Sequence, residues 1–328
     1  MTWQLTLILF LVLGAEFVNG WTDAPNAIAT VVSTRVLPIR TAVVMATLLN
    51  IAGALSGTAV AFTIGRGIVD SSMLGPGVIA AAMISLIMWS TLAAQFGIPT
   101  SESHALVAGL AGAALAVAGP EVLLFSGWVK VGVGLLLSSG VGFAASLILA
   151  KLVIFLTNHI PAQLSRKLFG RLQILSSLFM AYNHGMNDGQ KFIGVFAMTL
   201  VMGGVLPKFS TPVWVILLCS ITMGIGTSIG GLKIIRQVGM RMVDIRPWQG
   251  FAAESSAAMV IWGASMSGIP LSTTHTITTS IIGVAAAKNL KSGVRWRIAA
   301  DIVLAWVLTF PLCGTLSFLI ALLFKHLS

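Results

Sequence analysis

Two stretches of this 328-residue chain place anion-binding residue types inside otherwise apolar sequence. Gly97-Ile98-Pro99-Thr100-Ser101-Glu102-Ser103-His104 returns 171 positions later as Gly268-Ile269-Pro270-Leu271-Ser272-Thr273-Thr274-His275. Five of the eight positions are identical and a sixth exchanges Ser103 for Thr274, so the repetition is not casual. Each copy joins a helix-breaking Gly/Pro pair to hydroxyls and a histidine. A helix starting just after such a break offers unpaired N–H groups and a partial positive charge, which can hold an oxyanion without any full positive charge. Ser101, Ser103, Ser272, Thr273 and Thr274 are the hydroxyl donors. A single Ser or Thr in an apolar helix usually bonds back to its own backbone, but matched groups after matched breaks argue for a shared ligand. His104 and His275 either donate to that ligand or fix its helices.

The acidic residues point to a second partner, a cation. Nine exist in all, and Glu16, Asp23, Glu102, Asp188 and Glu254 fall within apolar runs or their breaks. A carboxylate at the centre of a bilayer costs about 3 kcal/mol, so five of nine in such places call for an explanation. Asp23 and Asp188 are the pair to explain first: Gly20-x-x-Asp23 recurs as Gly185-x-x-Asp188 at an offset of 165. Both are read as ligands of a coupling cation or as organisers of the site, while Glu16 and Glu102 are equally well read as groups that tie helices together. His184 stands one helical turn before Asp188 and can titrate with it. Lys191 follows the second aspartate and supplies a permanent positive charge near an anion.

Positioning these groups is the work of an all-α polytopic membrane protein. The chain is 57% hydrophobic and only 9% charged, a composition no soluble domain of this size carries. Its apolar residues come in unbroken runs, which excludes a β-barrel. The first run, residues 3–18, lacks a basic flank and a cleavage site and reads as a retained span. The net charge of +10 would suggest nucleic acid in a soluble protein, but here the basic residues sit in loops and mark the cytoplasmic side. Cys219 and Cys313 lack metal-ligand spacing and read as packing residues; the sequence calls for no cofactor and no resident metal.

Taken in order, residues 3–20 form a span interrupted at 19–26. A half-helix then begins with Thr22 or Asp23 as N-cap and Pro25 in its first turn. Residues 41–64 read as one full span. Residues 76–96 and 100–118 form a re-entrant hairpin broken at Gly97-Ile98-Pro99, and 128–155 cross with tilt. The second half repeats this: 172–184 lead into a break at 185–191, then 192–206, 212–235, a hairpin of 251–267 and 271–287, and 298–324. The layout is two repeats, 1–157 and 172–328, joined by a cytoplasmic loop at 158–171, with about twelve membrane segments when half-helices are counted. Loop charges orient the halves. Residues 65–76 hold Arg66 and Asp70, whereas the counterpart 233–248 holds Lys233, Arg236, Arg241 and Arg246 against Asp244. Residues 119–127 have no basic group, whereas 288–297 hold Lys288, Lys291, Arg295 and Arg297. Arg35 and Arg40 face a counterpart with only Lys208. Opposite bias in corresponding loops makes the repeats inverted, with both termini outside the cell inner membrane.

The run from Gly20 to Thr30, the segment His184-Gly185-Met186-Asn187-Asp188-Gly189-Gln190-Lys191 and the paired Pro-x-Ser-x-(Ser/Thr)-His elements together resemble the inorganic phosphate transporter (PiT) family over the whole chain. The resemblance implies symport of inorganic phosphate with a cation through an inverted-repeat fold with re-entrant hairpins. Asp23 and Asp188 match the family's repeated transport-critical aspartates, His184 and Glu254 match further important positions, and Ser101 and Ser272 match the signature serines. Thr22, Asn26, Ser101, Ser103, His104, Asn187, Gln190, Lys191, Ser272, Thr273, Thr274 and His275 are the candidate phosphate ligands. Asp23, Asp188, His184, Glu254 and Asn50 are the candidates for the coupling cation. Thr22 stands where sodium-coupled members commonly carry Asn, and Asn50 where some carry Glu. Both changes weaken a sodium site, since Na⁺ favours oxygen ligands, and tilt the reading toward H⁺ over Na⁺. Sulfate, another oxyanion or a metal–phosphate complex is the alternative cargo, and a homo-oligomer in the bilayer is compatible with the sequence. A membrane hydrolase using Ser101 and His104 fits badly, because catalysis needs one asymmetric nucleophile–base pair and the constellation occurs twice. A divalent-metal carrier would have no use for duplicated hydroxyl-rich helix starts.

Overall fold

The computed structural model of the chain describes residues 2–229 and 231–327. The side chains of Arg241, Lys288 and Lys291, counted in the loop-charge argument, lie outside the described residues. The described residues form fourteen α-helices. The first half holds α1 (Trp3–Thr22), α2 (Ala24–Ser33), α3 (Ile39–Leu55), α4 (Ala59–Gly67), α5 (Gly77–Gln95), α6 (Glu102–Ala118), α7 (Phe125–Leu136) and α8 (Gly142–Thr157). The second holds α9 (Ala162–Met202), α10 (Val213–Ile229), α11 (Leu232–Ile235), α12 (Pro247–Met266), α13 (Thr273–Gly293) and α14 (Trp296–Leu327). Among the described residues four helices are long and apolar enough to cross a membrane, or up to six when each bent pair counts as one span. Leu7, Phe10, Leu48, Ile148, Leu217 and Val307 stay exposed along these helices, as lipid-facing side chains must.

The break at 19–26 narrows to a single residue. α1 ends at Thr22, α2 starts at Ala24, and Asp23 caps the joint with Pro25 in the first turn, where its missing N–H goes unneeded. A helix–turn–helix forms at each Gly-Ile-Pro break. Gly97 and Gly268 adopt φ of 69° and 64° at the tips, a region open to glycine without a steric penalty. Ser101 and Ser272 then N-cap α6 and α13 by accepting the amides of His104 and His275 at 3.3 and 3.2 Å.

Three expectations are corrected. Residues 41–64 are not one straight helix: α3 and α4 meet at 67° across Ser56-Gly57-Thr58. The Ser56 hydroxyl donates to the Gly53 carbonyl at 2.5 Å, and the Gln190 side chain accepts the Val60 amide at 3.0 Å, so both ends of the bend are capped. The corresponding run 212–235 likewise bends by 65°, between Val213–Ile229 and Leu232–Gly239. Conversely, 185–191 is not a break. α9 runs 41 residues without interruption, and its first ten residues lie in the segment 158–171 that polarity marks as loop. The glycines serve close packing instead. A Cβ on Gly185 would lie 2.2 Å from the Asn50 carbonyl oxygen, and one on Gly53 would lie 2.0 Å from that of Tyr182. The same device joins α1 to α10, where Gly20 meets the Met223 oxygen and Gly226 the Phe17 oxygen, each at 2.2 Å.

Gly185→Ala and Gly53→Ala should therefore each destabilise the protein, in the range of about 1–3 kcal/mol typical of overpacking. Gly263→Ala, with nothing within 4 Å, should be neutral or stabilising. Thermal melting of the three purified variants in one detergent compares them directly.

Two apolar cores flank a polar layer. One gathers α1, α4, α5, α6 and α14 with Phe192–Leu200 of α9. The other gathers α2, α12 and α13 with Met180 and Ala181 of α9. The polar run 183–191 of α9 and the joint at Asp23 both lie where one core gives way to the other.

Candidate functional site

Asp23, Asp188 and Lys191 meet in this polar layer, each exposed by only about 1%. The Lys191 ammonium donates to the Asp188 carboxylate, to the Ser103 hydroxyl and, at 2.8 Å, to the Leu271 carbonyl. Asn26, which stands three residues after Asp23 as Lys191 does after Asp188, donates to Asp23 at 2.8 Å and to the Thr274 hydroxyl at 3.2 Å. Thr274 in turn donates to Asp23. The arrangement is crosswise: the joint of the first half holds a hydroxyl of the second hairpin, and α9 of the second half holds a hydroxyl of the first. Ser103 closes the link by donating to the Leu271 carbonyl at 2.8 Å. Thr273 bridges the two aspartates, 3.0 Å from Asp188 and 3.3 Å from Asp23. Glu102, its counterpart in the other hairpin, accepts from Thr22 at 2.6 Å.

The two aspartates differ in their charge balance. Asp188 is paired with Lys191, and its other oxygen lies 3.5 Å from the His184 Nε2. Asp23 receives Asn26, Thr273 and Thr274, all neutral, and has no cationic partner among the described residues. A buried carboxylate without a positive partner is costly, so Asp23 is where an added cation gains most. The His184 ring is held beside Asp188 by a partner on another helix. Asn50 Nδ2 donates to Thr227 at 3.3 Å, which turns its oxygen to His184 Nδ1 at 3.0 Å. With Asn50 in that orientation Nδ1 is the donor, and Nε2 lies on the side of the ring that faces Asp188. One ligand atom each from Asp23, His184 and Asp188 lie within 4.8 Å of one another.

The other candidates take supporting positions. Asn187 donates to Ser265 at 2.8 Å and to the Ile269 carbonyl at 3.3 Å, fixing the second hairpin to α9. Gln190 caps α4. Ser101 and Ser272 are engaged as helix caps. His104 and His275 pack ring against ring at 4.6 Å, and His275 stacks on Trp306 at 3.7 Å. Cys219 and Cys313 are free and buried.

Glu254 stands apart. It accepts from Thr30, Ser176 and Gln173, and Ser176 precedes Asp188 by twelve residues on α9, about 18 Å of helix. Sequence reasoning missed Thr30, Gln173, Ser176 and Ser265, because each meets its partner from a different helix and carries no local spacing. It also missed the clamps on the hairpin tips. Thr63 of α4 donates to the Gly268 carbonyl at 2.6 Å, and Lys233 of α11 donates to the Gln95 carbonyl at 2.7 Å.

A family model described as "Phosphate transporter family" matches residues 19–165 and 158–317. The chain belongs to the phosphate transporter family. A Bacillus subtilis (strain 168) protein named "Probable low-affinity inorganic phosphate transporter" is 40% identical over 313 residues, covering 94% of each chain. A Rhizobium meliloti (strain 1021) protein of the same name is 41% identical over 304 residues, 92% of this chain and 91% of its own. A solved structure, "The sodium-dependent phosphate transporter", superposes with a TM-score of 0.87 at 24% identity over 99% of both chains, which establishes the shared fold. This member of the family is therefore an integral membrane transporter with phosphate as the family's substrate, and the hydrolase reading of Ser101 and His104 falls away.

Proposed function

We propose that the chain imports inorganic phosphate by cation symport through alternating access, with the proton favoured over sodium. The observation that carries this is the crosswise pairing of Asn26 with Asp23 and Thr274, and of Lys191 with Asp188 and Ser103. It supports two inverted repeats, 1–157 and 172–328 joined through 158–171, with about twelve segments counting half-helices. Both hairpins then address one anion in the inner membrane, and both termini lie outside. Coupling follows from charge. Lys191 is engaged by Asp188, so a cation that neutralises the aspartates frees the ammonium to face phosphate beside Ser103, Thr273 and Thr274. Anion and cation thereby need each other.

The proton is favoured because an imidazole nitrogen facing Asp188 is a poor sodium ligand but can exchange a proton, and Asn50 holds the His184 ring in place. Glu254, in its separate cluster, serves as a second carboxylate along the path of the coupling ion. The clamps on Gly268 and Gln95, one from the short helix after each bend, support hairpin tips that are released in turn.

Radiolabelled phosphate uptake into proteoliposomes, under an imposed pH gradient and an imposed sodium gradient separately, tests the proposal. Uptake driven by the pH gradient alone is the expected result; no uptake under either gradient would sink phosphate symport. Sulfate competing as strongly as phosphate would reassign the cargo.

A further inference from the structure

We propose that a second oxyanion site, separate from the central one, lies at the N-terminal end of α12 in a cavity of about 530 Å³ framed by Arg35, Arg166 and Arg246. The inference rests on the reading of the chain as a phosphate carrier, and on the loop charges that assign this end to the cytoplasm. The three arginines come from three separate elements: the turn after α2, the first turns of α9 and the N-cap of α12. No carboxylate lines the cavity, and none of the three makes an ion pair among the described residues. All three side chains are exposed, so water screens their mutual repulsion, and what recommends them is that their planar forks match the oxygens of a phosphate. Thr34 and Ser165 add hydroxyls to the lining, and Ala162 and Pro247 add the starts of two long helices, whose dipoles reinforce the same sign.

Arg35 supplies an independent sign. It is the one non-glycine among the described residues with a positive φ, 60°. The Arg35 and Val36 amides donate to Val32 and Val31 in a left-handed turn closing α2, a position that ordinarily suits glycine. A strained arginine on the wall of a cationic cavity is accounted for by what its side chain does there.

The cavity also reaches inward. Thr34 donates to Gln173 at 2.9 Å, and Gln173 donates to Glu254 at 3.2 Å. Thr30, which also holds Glu254, is one helical turn from Asn26 at the central site. An anion that draws Thr34 away from Gln173 alters the setting of Glu254, so occupancy on the cytoplasmic side reports to the transport machinery. The ligand chemistry is a phosphate group, either free inorganic phosphate or the headgroup of an anionic lipid.

Equilibrium binding of radiolabelled inorganic phosphate to the full-length protein in nanodiscs tests the site. In phosphatidylcholine nanodiscs the protein should bind phosphate in two classes. Arg166→Gln combined with Arg246→Gln should weaken one class at least tenfold and leave the other. Lys191→Met should remove the other class, and its failure to do so would count against the central site alone. If a lipid headgroup is the ligand, phosphatidylglycerol should abolish the arginine class in the wild type. The double variant should then lose the phosphatidylglycerol that co-purifies with the wild type. Arg35→Gly removes a guanidinium while relieving the left-handed turn, so it should weaken the same class in a protein that folds at least as well. The proposal is overturned if the double variant and Arg35→Gly both retain wild-type phosphate binding and wild-type lipid content.

Discussion

Replacing Lys191 with methionine should lower phosphate uptake into proteoliposomes about a hundredfold. The ammonium is buried, donates to three oxygens and is the only cation bonded to either central aspartate among the described residues. Truncating one partner of a buried, hydrogen-bonded charge pair costs about 2–5 kcal/mol, and about 1.4 kcal/mol is tenfold, so a hundredfold loss lies within that range. Lys191→Arg should recover little of it, because a planar fork does not reproduce an ammonium's three bonds in a buried site. Combining Lys191→Met with Asp188→Asn replaces the ion pair by two neutral groups. That double variant should regain much of the melting temperature lost by Lys191→Met without regaining uptake. A Lys191→Met protein that transports normally would place the phosphate elsewhere.

Asp23→Asn and Asp188→Asn should both abolish cation-coupled uptake, yet move stability in opposite directions. Asp188→Asn leaves the Lys191 ammonium buried without its counter-charge, and breaking a buried pair in this way costs about 3–5 kcal/mol. Asp23 has only neutral donors around it, so Asp23→Asn removes an unpaired buried charge while its amide oxygen still accepts from Thr274. Melting in the absence of phosphate should therefore fall for Asp188→Asn and hold or rise for Asp23→Asn. Equal losses for both would show that Asp23 depends on a positive partner already in place.

What the sequence discloses, and where it misleads, follows from the range of each interaction. The breaks at Gly97 and Gly268 are legible because Gly and Pro act locally, and the joint at Asp23 is legible for the same reason. The matched aspartates stand out because charge is rare in apolar sequence. The bend at Ser56-Gly57-Thr58 is not legible: it contains no proline, and its caps come from Gly53 four residues or fewer away and from Gln190 on a distant helix. The glycines around Asp188 mislead for the opposite reason. Glycine weakens a helix by about 1 kcal/mol, but at Gly185 and Gly189 the missing side chains admit α3, and the packing overrides the local preference. The crosswise contacts of Asn26 and Lys191 require the folded chain.

The uninterrupted course of α9 has a consequence for motion. Its 41 residues make a rod of about 60 Å, anchored in both cores and carrying Asp188, Lys191 and two supports of Glu254, Gln173 and Ser176, on one continuous helix. Asp23, by contrast, rides on a one-residue knuckle between two shorter helices. The duplicated site is thus mechanically lopsided. On the proposed alternating-access mechanism one aspartate would belong to the axle and the other to the wheel, with the stroke taken up by the half that contains the knuckle.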